Sequence, residues 1–435
     1  MFDNHIERYK HSAFARNVAT ALSGTAAAQL IQVIGAPLLA FLYSPETFGV
    51  FSLYVATTAL FSVAATLRYE IAVTLVENRE DAKTLVRACI VIAFGVALLS
   101  SGVLGTLSIL MPGWKATEAL SAFIWLVPLS VVLLGAFQAL YYFALREQRF
   151  RLITAVKVAQ SFAFVALPSL LWLFGFQANG LVWGYVLHQA AALLLIAVLV
   201  APSLGRKSLE PQTSSTAFAL LKRYRNLPGL NAVHAFTDSA QQALLNYLIA
   251  SFYGNAMLGL YALAYRALRA PAAVVSAALS QVVFQRMSDN YNKGISNFPT
   301  FKSITGKLAL LSLPLFGVVV AFAPWLFDTL MGGEWRYAGV MVQCLSPWIL
   351  VAFVSSPMSH LPNITFSQGR FLLYTLAINA FAFGALLLTW VTGATVFMSL
   401  FAFSIWWGVG CALLLWWFAK LSKRTGVSSN GVTLA

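Results

Sequence analysis

The chain has 435 residues, 60% apolar and only 10% charged, with a mean hydropathy of +0.77. Soluble globular proteins carry about a quarter charged residues, so a water-soluble enzyme is excluded. The formal net charge is +14, from 28 Lys and Arg against 14 Asp and Glu; in so apolar a chain it reads first as topological bias and attraction to anionic lipid rather than as a nucleic-acid surface.

A bilayer span takes about 20 apolar residues. In chain order the apolar runs predict twelve spans: 17–42, 47–67, 86–111, 119–144, 152–174, 179–201, 228–252, 256–284, 307–330, 338–360, 371–391 and 395–419. The second and eighth are expected to run on past the membrane surface. Continuous apolar runs exclude a β-barrel, whose strands alternate. Arg266 and Arg269 lie well inside the eighth span; of the other 26 cations, 24 fall on one side of the twelve-span arrangement, leaving only Lys115 and Arg336 opposite. By the positive-inside rule both termini are cytoplasmic.

The loops and motifs remove further classes. The longest connections, 202–227 and 285–306, are too short for a catalytic domain. Gly205-Arg206-Lys207-Ser208 lacks the upstream glycine of a phosphate-binding loop, and the histidines are scattered. Cys89, Cys344 and Cys411 sit within apolar runs, which suits packing rather than a disulfide framework or a metal cluster. No cofactor and no metal site are expected; coupling to a proton or sodium gradient stays open.

The chain also repeats. Tyr43, Gly49, Phe51 and Leu53 of the first hairpin match Tyr253, Gly259, Tyr261 and Leu263 of the seventh-to-eighth connection, all at an offset of 210. Arg149 and Arg370 match at an offset of 221. Six spans separate the copies, so the repeat is parallel, with a pseudo-two-fold axis along the membrane normal. The expected architecture is an all-α polytopic membrane protein of two six-helix lobes, 1–202 and 228–435, joined by a cytoplasmic linker at 203–227.

Several stretches resemble a known family. Gly24-Thr25-Ala26-Ala27-Ala28-Gln29, Leu42-Tyr43-Ser44-Pro45-Glu46-Thr47-Phe48-Gly49, Arg68-Tyr69-Glu70-Ile71-Ala72-Val73 and Leu145-Arg146-Glu147-Gln148-Arg149-Phe150 are similar to Wzx-type polysaccharide flippases of the MOP exporter superfamily. So are Gly259-Leu260-Tyr261-Ala262-Leu263-Ala264-Tyr265-Arg266 with Pro271, and Pro347-Trp348 with Ser356-Pro357. The family often has Gly before the Arg-Tyr-Glu and Pro after it; here Leu67 and Val76 stand in those places. The resemblance implies a V-shaped pair of bundles like that of MATE transporters. It also implies movement of undecaprenyl-diphosphate-linked oligosaccharide from the inner to the outer leaflet of the bacterial inner membrane, for surface polysaccharide or lipopolysaccharide such as O-antigen. The implied partners are that substrate, membrane lipids and polysaccharide assembly enzymes, with no nucleic acid. A MATE-like drug or cation antiporter, and a polytopic polysaccharide polymerase or ligase, are the rival readings.

Charges inside a bilayer cost about 2.5–3.5 kcal/mol each at mid-span, so each needs a reason. The seventh span carries a polar stripe, Asn231, His234, Asp238, Gln241 or Gln242, and Asn246, close to one helical face. Counted from the turn at Gly254, Asp238 lies ~24 Å deep and Arg269 ~22 Å, level enough to pair, while Arg266 lies ~18 Å deep. Arg266 is the strongest candidate for an anionic headgroup, since guanidinium matches paired phosphate oxygens. Arg68 and Glu70, near the cytoplasmic end of the second span, form either a local ion pair or part of an inward-facing diphosphate site. Asn17 joins the candidates from the polar start of the first span. Arg146, Glu147, Arg149 and Arg151 read as a solvated loop, and Lys157 as ambiguous.

Overall fold

The computed structural model describes residues 23–110, 113, 115–205, 215–225 and 230–424; among them there is no strand. In chain order the helices are α1 (Ser23–Leu42), α2 (Pro45–Ser62), α3 (Ala72–Leu75), α4 (Arg79–Leu110), α5 (Lys115–Leu120), α6 (Leu126–Arg146), α7 (Phe150–Leu173) and α8 (Gly180–Gly205). There follow α9 (Ala217–Arg223), α10 (Leu230–Tyr253), α11 (Asn255–Asn292), α12 (Phe298–Met331), α13 (Arg336–Ser355), α14 (Leu361–Ile364), α15 (Gln368–Val391) and α16 (Val396–Leu421). Every span expected from the hydropathy has its helix. Among the described residues nine helical segments are long and apolar enough to cross a bilayer; α2, α10 and α11 fall outside that set. For α10 and α11 the polar stripe and the two arginines account for it.

Local chemistry sets the helix ends. Ser44 caps α2, its hydroxyl accepting from the Thr47 N–H, with Pro45 at the first helical position. Thr216 caps α9 and Thr395 caps α16 in the same way. Between α10 and α11 only Gly254 is non-helical, at φ +89°, a conformation glycine adopts without a Cβ penalty. α11 runs for 38 residues, ~57 Å at 1.5 Å per residue. That exceeds a hydrocarbon core of about 30 Å, in line with the expected overrun of the eighth span.

The second span does not run on. α2 stops at Ser62, residues 63–71 form successive turns, and Leu67 and Arg68 take left-handed φ values of 47° and 64°. Leu67 occupies the position where the resemblance leads one to expect glycine, and a left-handed residue is the reason glycine suits it.

The chain forms two compact units, 1–259 and 260–435, dividing within α11. α10 and the first turn of α11 belong to the first unit because they pack on α2. Tyr247 Oη lies 2.7 Å from Thr57 Oγ1, and Asn246 Nδ2 donates to the Ser52 carbonyl at 3.4 Å. The contact at the hairpins is reciprocal. A Cβ on Gly49 would lie 1.9 Å from the Asn255 carbonyl oxygen, and one on Gly259 1.8 Å from that of Pro45. Pro45 and Asn255, like Gly49 and Gly259, are 210 residues apart, so each copy of the repeat offers the same glycine to the same position of the other. That is the signature of a pseudo-two-fold contact.

The first unit has a core where α4 and α7 begin and α6 and α8 end. Leu85 and Cys89 (α4), Leu140 and Phe143 (α6), Val156 (α7), Ile196 (α8) and Leu220 (α9) meet there. α9 is tied down besides: Asp81 accepts from the Ser215 N–H at 2.8 Å, and Tyr69 Oη donates to the Leu221 carbonyl at 3.3 Å. In the second unit Met287 of α11 joins Phe301 (α12), Leu361 (α14) and Phe418 (α16) in the corresponding role. Close helix approach rests on small residues: Gly135 of α6 against Ala93 of α4, and Gly339 of α13 against Ala323 and Pro324 of α12.

Candidate functional site

The broken end of the second span places Arg68 and Glu70 together. Glu70 is 2% exposed, accepts a short hydrogen bond from the Thr66 hydroxyl, and lies 3.7 Å from Arg68 Nη1. A buried carboxylate needs such partners, because removing them leaves an uncompensated charge in low dielectric. Arg68 is 32% exposed and so faces outward from the pair. Its Nε is nevertheless buried, with no acceptor among the described residues.

Of the cluster at the end of α6, Arg151 is exposed, as a solvated loop residue would be, but Arg146, Glu147 and Arg149 are half-buried and engaged. Arg146 is 16% exposed and donates to the Val76 and Glu77 carbonyls between α3 and α4, at 3.2 and 2.7 Å from Nη2. Arg149 donates to the Leu199 carbonyl at 2.9 Å and to Ser203 Oγ at 3.0 Å. Arg79 bridges Glu147 and the Ser203 carbonyl, both at 3.0 Å. Cations at a helix C-terminus satisfy carbonyls that the helix leaves open and oppose the negative dipole end. These three arginines therefore fasten α8 and the start of α4 to the end of α6.

The polar stripe of α10 divides by height. Gln242, Asn246 and Tyr247, toward Gly254, form the polar seam with α2, Gln242 Nε2 reaching Asn246 Oδ1 at 3.4 Å. Farther from the turn, Gln241 is half-buried and Asp238 exposed. The side chain of His234 lies outside the described residues, as does Asn17.

In the second unit Arg266 is half-buried and Arg269 exposed. Arg269 donates to the Tyr265 hydroxyl and holds its guanidinium 5.5 Å from that ring's centroid. Tyr265 stacks between Tyr261 and Trp348, at 5.8 and 5.7 Å, and Trp348 packs in turn on Phe403 and Trp407. An arginine thus crowns a column of aromatic rings, a pairing that suits cations, phosphates and the apolar faces of sugars. The spacing of Tyr261, Tyr265 and Arg269, four residues apart, announces one helical face. Trp348, 83 residues away, carries no such signal in a sequence with 12 tryptophans. Asp238 belongs to the first unit and Arg269 to the second.

Among the described residues the chain is all-helical, with helices long and apolar enough to cross a membrane, and its fold is that of solved MOP-superfamily transporters. An inward-facing multidrug resistance MATE family transporter of that superfamily is 14% identical, aligns over 93% of this chain and 94% of its own, and gives a TM-score of 0.63. The lipid II flippase MurJ, in an inward closed conformation, is 11% identical over 92% of this chain and 89% of its own, with a TM-score of 0.70. A MOP-superfamily transporter from Pyrococcus furiosus, described as having a binding pocket of reverse polarity, is 14% identical over 95% and 96%, with a TM-score of 0.57. No curated protein matches the sequence. The family model described as polysaccharide biosynthesis protein matches residues 38–339, most of the chain, and the protein belongs to that family.

Proposed function

We propose that the protein is a flippase for lipid-linked, diphosphate-bearing saccharide, the undecaprenyl-diphosphate-linked oligosaccharide of surface polysaccharide or lipopolysaccharide synthesis. It carries the substrate from the inner to the outer leaflet by alternating access of two six-span halves, 1–202 and 228–435. Family membership carries the biosynthetic part of this reading. The charge within the spans supports the chemistry proposed for the substrate: Arg266, Arg269 and Arg68 are cations in or at the end of spans, and a saccharide diphosphate would supply the matching anion. Asp238, His234, Gln241, Glu70 and Asn17 complete the candidate substrate contacts. The bacterial inner membrane, with both termini cytoplasmic, is the location that goes with it; gradient coupling by protons or sodium would drive it without a cofactor.

Two observations weigh against the rivals. Cation antiport calls for an open carboxylate in the cleft of the first six spans, and Glu70, the acid in the body of those spans, is instead engaged by Thr66 and Arg68. A polymerase or ligase needs a large loop to hold donor and acceptor. The connections after α1, α7, α10, α12 and α15 are short, that after α10 being the single residue Gly254. The reading is tested by depleting the protein in its own cells and assaying lipid-linked saccharide. Accumulation of the intermediate with loss of surface glycan is expected; undiminished surface glycan overturns it.

A further inference from the structure

α12, α13 and α16 leave an apolar groove at one end of the second unit. It holds about 450 Å³ and is lined by Phe301 of α12, Val351 and Val354 of α13, and Ala412, Trp416 and Ala419 of α16, among other apolar residues. Ala412 and Ala419, two turns apart on one face of α16, supply the room beside Trp416. The walls are held in place. Phe418 packs with Phe301 in one core, and Ser296 Oγ donates to the Ser422 carbonyl at 3.3 Å, so the start of α12 lies beside the end of α16. From Ala412 to Lys420 the helix rises ~12 Å, close to the ~15 Å that one leaflet contributes to a hydrocarbon core of about 30 Å. The groove therefore has the depth of a single leaflet.

Cations gather at its mouth. Lys420, one turn beyond Trp416, holds Nζ 3.4 Å from the centroid of that ring, so its ammonium stands over a wall of the groove. Lys423 holds Nζ 4.9 Å from the centroid of Phe298, and Lys302 follows Phe301 on α12. All three lysines are exposed and hydrated, and none needs an anion for its own stability. What they make together is a positive rim that no acid offsets. The second unit has three acids, Asp289, Asp328 and Glu334. Asp328 lies ~40 Å along α12 from Phe301, with Glu334 beyond it. Among the described residues no ion pair joins Asp289 to any of the three lysines.

We infer that this groove seats an anionic phospholipid, one acyl chain lying between α13 and α16 and the phosphate held at Lys420, with Lys302 and Lys423 adding to the field. A chain packed against Trp416 over the depth of one leaflet brings its headgroup to the level of Lys420. There an ammonium donates charge-assisted hydrogen bonds to phosphate oxygens, and a basic pocket between spans favours anionic headgroups. A zwitterionic headgroup brings its own ammonium to the same lysines and gains less by Coulomb's law. With the orientation proposed above, the lipid belongs to the cytoplasmic leaflet. The site is independent of what the protein carries.

The test is native mass spectrometry of the purified full-length protein in detergent, titrated with phosphatidylglycerol or with phosphatidylethanolamine of the same acyl chains. Wild type binds its first phosphatidylglycerol more tightly than its first phosphatidylethanolamine. K420Q lowers that preference about fivefold, the equivalent of roughly 1 kcal/mol, and K420R keeps it. A412F fills the groove while leaving every charge in place, and lowers the affinity for the first phosphatidylglycerol about tenfold. Ala412 and Lys420 are both exposed, so the melting temperatures of all three variants stay at the wild-type value. Equal binding of the two lipids by wild type, or an unchanged preference in K420Q, overturns the site. So does a phosphatidylglycerol affinity that A412F leaves untouched. Displacement of the first phosphatidylglycerol by equimolar farnesol also overturns it, by making the groove a seat for a polyprenyl chain.

Discussion

The reciprocal glycine contact makes a quantitative demand on the two hairpins. In G49A the new methyl sits 1.9 Å from the Asn255 carbonyl oxygen, and in G259A it sits 1.8 Å from that of Pro45. Ordinary contact begins at 3.4 Å, so each variant is short of room by about 1.5 Å, against backbone that cannot rotate away as a side chain could. Overpacking of this kind costs about 1–3 kcal/mol, occasionally more, and each single variant should fall at the upper end. A single separation of α2 from the start of α11 relieves both clashes. The double variant should therefore cost clearly less than the sum of the two, a coupling of the kind shown by residues in contact. Gly95 of α4, with nothing within 4 Å of its Cβ position, is the control; G95A should hold or raise stability by up to about 1 kcal/mol. The assay is thermal unfolding in detergent, followed by loss of the monodisperse species. Wild-type stability in G49A, or full additivity in the double variant, would refute the reciprocal packing.

The remaining predictions concern charge and strain. R68Q leaves Glu70 buried beside Thr66 alone, whereas E70Q leaves a partly exposed arginine; R68Q should be the more destabilising, by about 3 kcal/mol, as read from folded yield and melting. L67G should stabilise by up to about 1 kcal/mol, because it relieves a left-handed leucine that is 40% exposed and has little packing to lose; a lower melting temperature would show that the backbone there is unstrained. R149A should destabilise by about 1–3 kcal/mol, the cost of leaving the Leu199 carbonyl and Ser203 without their donor, and R149K should recover only part. Surface glycan per unit of inserted protein should fall in the order wild type, R266K, R266A; equal recovery with alanine would remove Arg266 from the candidate substrate contacts. Reporter fusions at residue 215 and at the C-terminus should read cytoplasm and one at 254 periplasm, a pattern that a periplasmic signal at 215 would contradict.

Hydropathy located the long helices, most plainly the nine that are apolar throughout and less so α2, α10 and α11, because a bilayer demands a length of apolar residues that little else in a sequence imitates. The repeat was legible for a similar reason: Gly49 and Gly259 stand where two backbones touch, and no other residue fits there. The break after Ser62 was not legible. Ala64-Ala65-Thr66-Leu67 carries neither proline nor glycine, and the left-handed turn is imposed on Leu67 by its surroundings. The loop arginines misled for another reason. Arg149 reaches a carbonyl 50 residues away and Arg79 one 124 residues away, and side-chain-to-backbone bonds at such separations leave no pattern in spacing. The column from Tyr261 to Trp348 was half legible, its helical face visible and its partner not.

The central claim is transport of a lipid-linked saccharide, and flipping in proteoliposomes tests it most directly. The purified chain is reconstituted with undecaprenyl-diphosphate-linked saccharide, and a membrane-impermeant, saccharide-cleaving enzyme is added outside. With the protein present, the inner-leaflet share should become accessible at a rate proportional to the amount of protein and slowed by R266A. Protection of that share at the level of protein-free vesicles, under an imposed proton or sodium gradient as well as without one, would contradict the account.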